Sequence, residues 1–262
     1  NMWINRKEKN GIDGIDDDGN GFVDDIHGYN FVDQNGSPQD GKGHGTHCAG
    51  IIGASHNNIG VKGTMKNVQL MAVRFLDDAG TGTVSDAIAA IDYSINNGAH
   101  ILSNSWAGNF YSQALFDGVE ASYRAKLVFV AAAGNERNDN DRWETYPANF
   151  ELDNIISVGA MTGAGEKATF SNYGQRTVHI FAPGESILST YSPKTYKWLS
   201  GTSMATPFIS GLLGLALSKN TEVDYQELKN ALIETSVANE QLNDYAVGGR
   251  ADGLRLLTFL QN

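Results

Sequence analysis

The chain has 262 residues, which is enough for one large α/β domain or two small ones. Its hydrophobic fraction of 41% is that of an ordinary soluble protein, and its formal net charge of −11 argues against binding to nucleic acids or anionic membranes. No apolar run approaches the roughly 18 residues of a membrane span, and the single cysteine, Cys48, excludes an internal disulfide.

Strands and helices are predicted to alternate along most of the chain, after polar, glycine-rich and acidic loops over residues 1–43. In the helix predicted for 83–97, apolar residues from Val84 to Ile95 are spaced 4, 3 and 4 apart, and Gly98 suits its end. The predicted strands are 68–75, 99–105, 127–132, 155–160, 177–182 and 187–191. The other predicted helices are 111–124, 202–218, 224–236 and 251–260. Such strand–helix–strand units predict one three-layer α/β domain, with a mostly parallel central sheet and helices on both faces.

A serine with small neighbours, Ser203, lies at the mouth of the predicted helix 202–218 in the segment Gly-Thr-Ser-Met-Ala. The free N–H groups and the dipole at a helix N-terminus favour negative charge. An attacking oxygen and the oxyanion that it forms would be stabilised there. The alternative is an ordinary serine or threonine N-cap.

Two histidines, His44 and His47, stand three apart among the small residues of 43–50. Glycines allow a general base to approach a nucleophile closely. The alternatives are a metal-binding pair or the start of a structural helix. The spacing would suit zinc, but the sequence offers no obvious third ligand.

An asparagine, Asn135, follows the predicted buried strand 127–132 and a run of small residues. Its amide N–H could donate a hydrogen bond to a developing oxyanion. The alternative is a plain Gly-Asn turn at the end of a strand.

In the order histidine, asparagine, serine, these motifs resemble the subtilisin-like serine proteases, the subtilase family. The resemblance runs from Asn10 to Leu260 and includes the segments 103–108, 170–174 and 181–184. Cys48, directly after His47, is similar to a cysteine of the proteinase K branch of that family.

The resemblance implies a serine endopeptidase in which His44 is the general base for an acyl-enzyme on Ser203. Asn135 would hold the oxyanion together with the backbone N–H of Ser203, and His47 would be a second, non-catalytic histidine. Substrate is expected along a strand edge and in a primary specificity pocket with one wall and a floor. The expected strand edge is Ser105, Trp106 and Ala107. The expected pocket wall is Ala132, Ala133 and Gly134, and Thr145 is expected near the floor.

The catalytic aspartate of the family precedes the histidine, in Asp-Thr-Gly or Asp-Ser-Gly after an apolar strand. Neither tripeptide occurs before His44, and none of the eight aspartates there follows an apolar strand. Without this carboxylate the imidazole loses its orienting partner. We therefore expect the first strand and the catalytic aspartate to lie outside these 262 residues. The alternative is a catalytically inactive, calcium-stabilised peptide-binding or adhesion module on the same scaffold.

Two segments are predicted to bind Ca²⁺. In 15–25, acidic side chains alternate as at the start of a calcium loop, and Gly21 stands where such a loop turns sharply. The expected ligands are Asp16, Asp18, Asn20, the Phe22 carbonyl and Asp25, and the alternative is a solvated acidic loop. The segment 55–61 resembles a calcium loop of the family, with Asn57, Ile59 and Val61 as ligands.

The resemblance also implies partners and a location. Polypeptide substrates are expected, with a propeptide or a protein inhibitor as a further partner. The protein is expected to be a monomer that is secreted or otherwise extracytoplasmic.

Overall fold

The fold contains eight strands and seven helices in the computed structural model of the chain, which describes residues 1–192 and 194–261. The strands are β1 Gly28–Asn30, β2 Ala72–Arg74, β3 Ile101–Asn104, β4 Val128–Ala132, β5 Ile155–Met161, β6 Ile180–Pro183, β7 Ile187–Tyr191 and β8 Thr195–Leu199. The helices are α1 Arg6–Asn10, α2 His44–Gly53, α3 Val84–Asn96, α4 Gln113–Arg124, α5 Thr202–Lys219, α6 Tyr225–Glu234 and α7 Gly253–Phe259. No helix of the described ranges is both long and apolar enough to cross a membrane.

The central sheet consists of four parallel strands in the order β3-β4-β5-β6. Ile101 pairs with Val128, and Val158 pairs with Ile180. Two further pairs lie outside this sheet, the parallel pair β1-β2 and the antiparallel hairpin β7-β8. Parallel strands need a crossover connection, and α4 supplies the one between β3 and β4.

The central sheet is covered on both faces. On one face, α5 to α7 pack against β4 to β6, with Ile209, Leu213 and Leu232 at the centre of that core. On the other face, α3 and α4 bury Val119 against Phe129 of β4. This is the predicted three-layer α/β architecture. Every residue of β4 and β5 is buried, and all but Ser157 are apolar or glycine, because both faces of these strands are covered.

Side-chain caps fix where the predicted helices begin. Thr83 accepts the N–H of Asp86 at the start of α3, and the Ser112 hydroxyl caps α4 in the same way. At α6, Asp224 and Glu227 form a reciprocal capping box. Gly98 follows α3 with a φ of +74°, a conformation that favours glycine.

The prediction of loops throughout residues 1–43 was wrong, because α1 and β1 lie there. Both are too short and polar to give an apolar period, and tertiary contacts stabilise them instead. The strand predicted for 68–75 is reduced to β2, and β8 was not predicted. Four of the five residues of β8 are exposed, so it carries no apolar alternation.

A gap separates β2 from β3, and both edges that face it lack partners among the described residues. Leu70 and Ala72 donate to Asn1 and His27, so the neighbouring Met71 and Val73 turn their backbone groups towards the gap. A cavity of about 2200 Å³ occupies the gap and the clefts that adjoin it. Its walls include side chains of α3 and α5, the two helices that cover the sheet on opposite faces.

Candidate active site

Ser203 lies in the first turn of α5, directly after the short link from β8. Its hydroxyl donates to the Ser105 carbonyl at 3.2 Å. The N-cap is Gly201, whose N–H donates to the carbonyl of Gly184 beyond β6. The serine is therefore attached to the carboxyl ends of both β3 and β6.

Asn135 is held beside the first turn of α5, the turn that contains Ser203. The Asn135 Oδ1 accepts the Thr202 N–H at 2.8 Å and the Thr202 hydroxyl at 3.1 Å, which fixes the orientation of the amide. A methyl group placed on the Cα of Gly201 would lie 3.6 Å from the Ser203 nitrogen and 3.7 Å from both Nδ2 and Oδ1 of Asn135. Because Thr202 occupies Oδ1, Nδ2 is the atom of this amide that can donate to an oxyanion formed near Ser203.

His44 is the first residue of α2, and Asp40 organises the turn that precedes it. The Asp40 carboxylate accepts the N–H groups of Lys42, Gly43 and Thr46, and the Thr46 hydroxyl. Burial raises the pKa of Asp40, but these hydrogen bonds outweigh it and hold the pKa below its usual value. Asp40 was not singled out from the sequence, because its role depends on backbone groups.

The His44 ring has no hydrogen-bond partner among the described residues. Burial lowers its pKa below 6.5, although the nearby Asp40 charge acts in the opposite direction. The imidazole is therefore neutral at neutral pH, the form in which it can accept a proton.

His47 faces away from this site and is fully buried. Its Nε2 lies 3.1 Å from the Ile187 carbonyl oxygen and 3.0 Å from that of Lys197, so it bridges β7 and β8. The hydroxyls of Ser189 and Thr190 donate back to carbonyls of α2. The β7-β8 hairpin is thus fastened to the helix that carries His44.

The strand edge expected to bind substrate, 105–107, extends beyond β3. Trp106 Nε1 donates to Asn104 Oδ1, and its ring packs edge to face on Phe75 at 5.2 Å. Ala107 is exposed. No backbone hydrogen bond from Trp106 or Ala107 to another described residue is present, so this edge is free to pair.

The expected pocket wall, Ala132 to Gly134, is held from behind by buried amides. Asn140 and Asn172 both donate to the Ala133 carbonyl, at 2.8 and 3.1 Å. Gly134 has a φ of +110°, and a Cβ there would lie 2.3 Å from Asn172 Nδ2, so only glycine fits. The two asparagines were not predicted as site residues, although Asn172 lies in a segment that carried the family resemblance.

Thr145 was expected near the floor of this pocket, but it is only 1% exposed. Its hydroxyl donates to Asn140 Oδ1 and accepts from Asn172 Nδ2, both at 3.3 Å. The structure therefore places Thr145 in the buried amide network behind the wall. The sequence position alone could not distinguish the two places.

The acidic segment forms a compact loop whose carboxylates are held by backbone N–H groups. Asp16 accepts from Gly19, Asn20 and Gly21, which lowers its pKa; the Gly21 bond contributes most. Carboxylate oxygens of Asp16, Asp18 and Glu8 lie within 4.8 Å of one another. Glu8 was not predicted as a ligand, because it lies in α1, outside the acidic segment.

Asp25 differs from the other expected ligands of this loop. It is fully buried and accepts from Asn5, Asn20 and Tyr93 at 2.6 to 3.0 Å. Burial raises its pKa. These contacts make Asp25 a structural acceptor, and the structure brings Glu8 rather than Asp25 to Asp16 and Asp18. Phe22 contributes its N–H to Asn20 Oδ1 and its ring to an aromatic cluster.

The second expected metal segment is an exposed turn. Asn57 Oδ1 accepts the Ile59 N–H at 3.1 Å, and the Ile59 side chain is 69% exposed. Gly60 follows with a φ of +61° and packs against the Tyr196 ring of β8. Val61 is partly buried. The described residues bring no carboxylate cluster to this turn.

Known proteins resemble this chain in sequence and in fold. Residues 6–249 match the family model described as the subtilase family. Subtilisin DY from Bacillus licheniformis is 37% identical over 212 residues, which cover 80% of this chain and 76% of that protein. Thermitase from Thermoactinomyces vulgaris is 36% identical over 235 residues, or 89% and 81% of the two chains. The crystal structure of a cold adapted subtilisin-like serine proteinase matches with a TM-score of 0.76 at 34% identity, covering 86% of this chain and 81% of that one.

Replacing Asp40 tests whether its hydrogen bonds stabilise the turn that leads into His44 and α2. We expect Asp40→Ala to lower the free energy of unfolding by about 1–2 kcal/mol, because the first turn of α2 loses its cap. The pKa of Asp40 is lowered in the folded state. Its contribution to the free energy of unfolding is therefore fully present above pH 3.8, the ordinary pKa of the group, and is lost as the pH falls through the folded-state pKa. Denaturant unfolding at pH 7 and at acid pH measures both effects.

The matched control is Asp92→Ala on the exposed face of α3, which we expect to change stability by less than about 0.5 kcal/mol. Equal stabilities of Asp40→Ala and Asp92→Ala at pH 7 would contradict the role assigned to Asp40.

Proposed function

We propose that this chain, which belongs to the subtilase family, is a serine endopeptidase that forms an acyl-enzyme on Ser203 with His44 as general base. The observation that carries the proposal is the orientation of Asn135 at the first turn of α5: its Oδ1 accepts from Thr202 at 2.8 Å, and its Nδ2 has no hydrogen-bond partner among the described residues. A non-catalytic peptide-binding module would not require an unpaired amide donor at the turn that contains the serine. The relatives include proteins named as serine proteinases, among them one from Bacillus sp. strain AK1.

The first chemical step forms the acyl-enzyme. Neutral His44 accepts the proton of the Ser203 hydroxyl as the oxygen attacks the substrate carbonyl. The oxyanion then receives hydrogen bonds from Asn135 Nδ2 and from the Ser203 N–H at the positive end of the α5 dipole. Protonated His44 donates its proton to the leaving amine. A water molecule then attacks the acyl-enzyme while His44 accepts its proton. His44 returns a proton to the Ser203 oxygen, and the carboxylic acid product is released.

The substrate chain would bind as an added strand. The edge at Ser105, Trp106 and Ala107, of which Trp106 and Ala107 have unpaired backbone groups, would supply donors and acceptors to the residues before the cleaved bond. Opposite it, the wall from Ala132 to Gly134 is held rigidly by the buried amides. Backbone pairing of this kind supports a broad preference for extended polypeptides.

We also propose that a strand from outside these 262 residues fills the gap between β2 and β3. The two free edges are both parallel-strand edges, and helices already cover the gap on both faces. The carboxyl end of such a strand would lie beside the ends of β2 and β3, at the edge where His44 lines the same cavity. An aspartate there would supply the partner that the His44 ring lacks among the described residues.

Supplying this strand, on a longer chain or as an apolar peptide that ends in Asp-Ser-Gly, should complete the site. We expect the backbone amides of Val73 and Ser103 to become protected from hydrogen exchange. We also expect the rate of peptide hydrolysis to rise by about 10⁴-fold, the effect known for the catalytic aspartate of a subtilisin. An otherwise identical peptide ending in Asn-Ser-Gly is the control, which should protect the amides without the full gain in rate. Full activity of the 262-residue chain alone would contradict this proposal.

Removing the side-chain donor tests the oxyanion site. We expect Asn135→Leu to lower kcat by about 10²–10³-fold with little change in KM, because the lost hydrogen bond forms in the transition state. This magnitude is the one known for the corresponding asparagine of a subtilisin. Kinetics on a peptide substrate of the completed protein measure the effect. A fluorophosphonate probe should label wild-type Ser203 and not Ser203→Ala, and failure to label wild type would contradict the proposed function.

We further propose that Glu8, Asp16 and Asp18 bind a calcium ion. Three carboxylates within 4.8 Å repel one another, and no lysine or arginine forms an ion pair with them in the described part of the chain. Hard oxygen donors of this kind suit Ca²⁺. Bound calcium would hold α1 against the acidic loop and would supply charge neutralisation, with no part in peptide hydrolysis. The turn at Asn57, Ile59 and Val61 is proposed as a weaker site.

Calcium binding is tested by calorimetric titration and thermal unfolding. We expect Glu8→Gln and Asp16→Ala to lower calcium affinity at least about tenfold, and chelation to lower the unfolding temperature of wild type only. Asp13→Ala, an exposed change in the same segment, is the matched control and should bind like wild type. Equal calcium uptake by wild type and Asp16→Ala would contradict the site.

The strand edge proposed for substrate could also bind other polypeptides. A propeptide or inhibitor could occupy the same edge, at Ser105 to Ala107. We further propose that the protein is a secreted or extracytoplasmic monomer.

A further inference from the structure

The carbonyl oxygen of Ser203 lacks its helical hydrogen bond. In an α-helix this oxygen would accept the N–H of residue 207, four positions later. Residue 207 is Pro207, inside α5, and proline has no N–H. A buried carbonyl without a partner is costly, so another donor is needed here.

Two side chains from different elements supply that donor. The Ser105 hydroxyl donates to the Ser203 carbonyl oxygen at 2.9 Å, and the Cys48 thiol donates to the same atom at 3.3 Å. The Ser203 hydroxyl in turn donates to the Ser105 carbonyl at 3.2 Å. The nucleophile and the substrate edge are therefore joined by reciprocal hydrogen bonds.

Cys48 connects the same carbonyl to the helix of the base. It lies four residues after His44 in α2, so the two side chains are on one face of that helix. Burial raises the pKa of the Cys48 thiol to about 12. At neutral pH the sulfur therefore carries its proton and acts as a donor, not as a nucleophile.

We propose that Cys48 and Ser105 are positioning residues, whose side chains hold the Ser203 backbone at a fixed distance from His44 and from the substrate edge. The proposal rests on the proposed function, because it concerns the alignment of Ser203 with its base. Pro207 makes the arrangement possible, since it leaves the carbonyl open to donors from outside the helix. Neither side chain contacts the reacting bond.

The two donors share one acceptor, and this predicts a particular pattern of losses. Each single change, Cys48→Ala or Ser105→Ala, leaves one donor and should slow phosphonylation of Ser203 by about three- to tenfold. The double variant leaves the carbonyl without a partner, so its loss should exceed the product of the single losses. Cys48→Ser keeps a donor of similar size and should react within about twofold of wild type.

Ser103→Ala is the matched control for Ser105→Ala. Ser103 lies two residues earlier on β3, and its hydroxyl contacts Ser210 instead of Ser203. We expect this variant to react like wild type. In peptide hydrolysis by the completed protein, Cys48→Ala should lower kcat and leave KM unchanged, because the Cys48 thiol contacts the Ser203 carbonyl and not the proposed substrate edge.

The thiol hydrogen bond can be observed without any activity. The chain has one cysteine, so the S–H stretching band in a Raman spectrum belongs to Cys48 alone. We expect this band at a lower frequency in the folded chain than in the unfolded chain. In Ser105→Ala it should move lower still, because the thiol becomes the sole donor to the carbonyl.

An S–H band at the unfolded-chain frequency, or a double variant whose loss equals the product of the single losses, would overturn the proposal. Failure of the probe to label the completed wild-type protein overturns the proposed function, and the positioning role falls with it. The Raman result then still decides whether the hydrogen bond exists, so the two failures are distinguishable.

Discussion

The parallel alignment of β3 to β6 is the constraint on which the site depends. Parallel strands end at one edge of a sheet, so segments distant in sequence meet there. Ser105 follows β3, Asn135 follows β4, and Gly184 beyond β6 anchors the N-cap of α5. Ser203, the proposed oxyanion donor and the proposed substrate edge are therefore all attached to this one sheet.

Several carboxylates of this protein are held by backbone N–H groups rather than by cationic side chains. Glu8, Asp16 and Asp40 each accept two or more of them, and the ion pairs of the described residues are on the surface. Glycine-rich turns make this possible, because they let the backbone curl around a carboxylate. The oxyanion expected at Ser203 would likewise accept hydrogen bonds from N–H groups. An acidic protein thus still offers local sites that favour anions.

Sequence patterns predicted the elements whose stability is local or apolar. Helix α3 and strand β4 have clear periods or continuous apolar runs, so their positions were predicted to within a few residues. Strand β1 was missed because its pairing partner β2 lies more than forty residues along the chain, and β8 was missed because its mostly exposed residues show no apolar alternation. In the site, the motifs identified Ser203, but the roles of Asp40 and Glu8 were not visible, since both act on backbone groups that only the fold brings near.

The gap between β2 and β3 has a consequence for how the protein folds and survives. Two open strand edges face each other there, and open edges readily pair with the edges of other molecules. A chain in this state is therefore prone to associate with its own copies, through Met71 and Val73 on one side and Ile101 and Ser103 on the other. Closing the sheet removes both edges at once. Protection from aggregation and assembly of the peptide-cleaving site would then be a single event, late in folding because it joins distant segments.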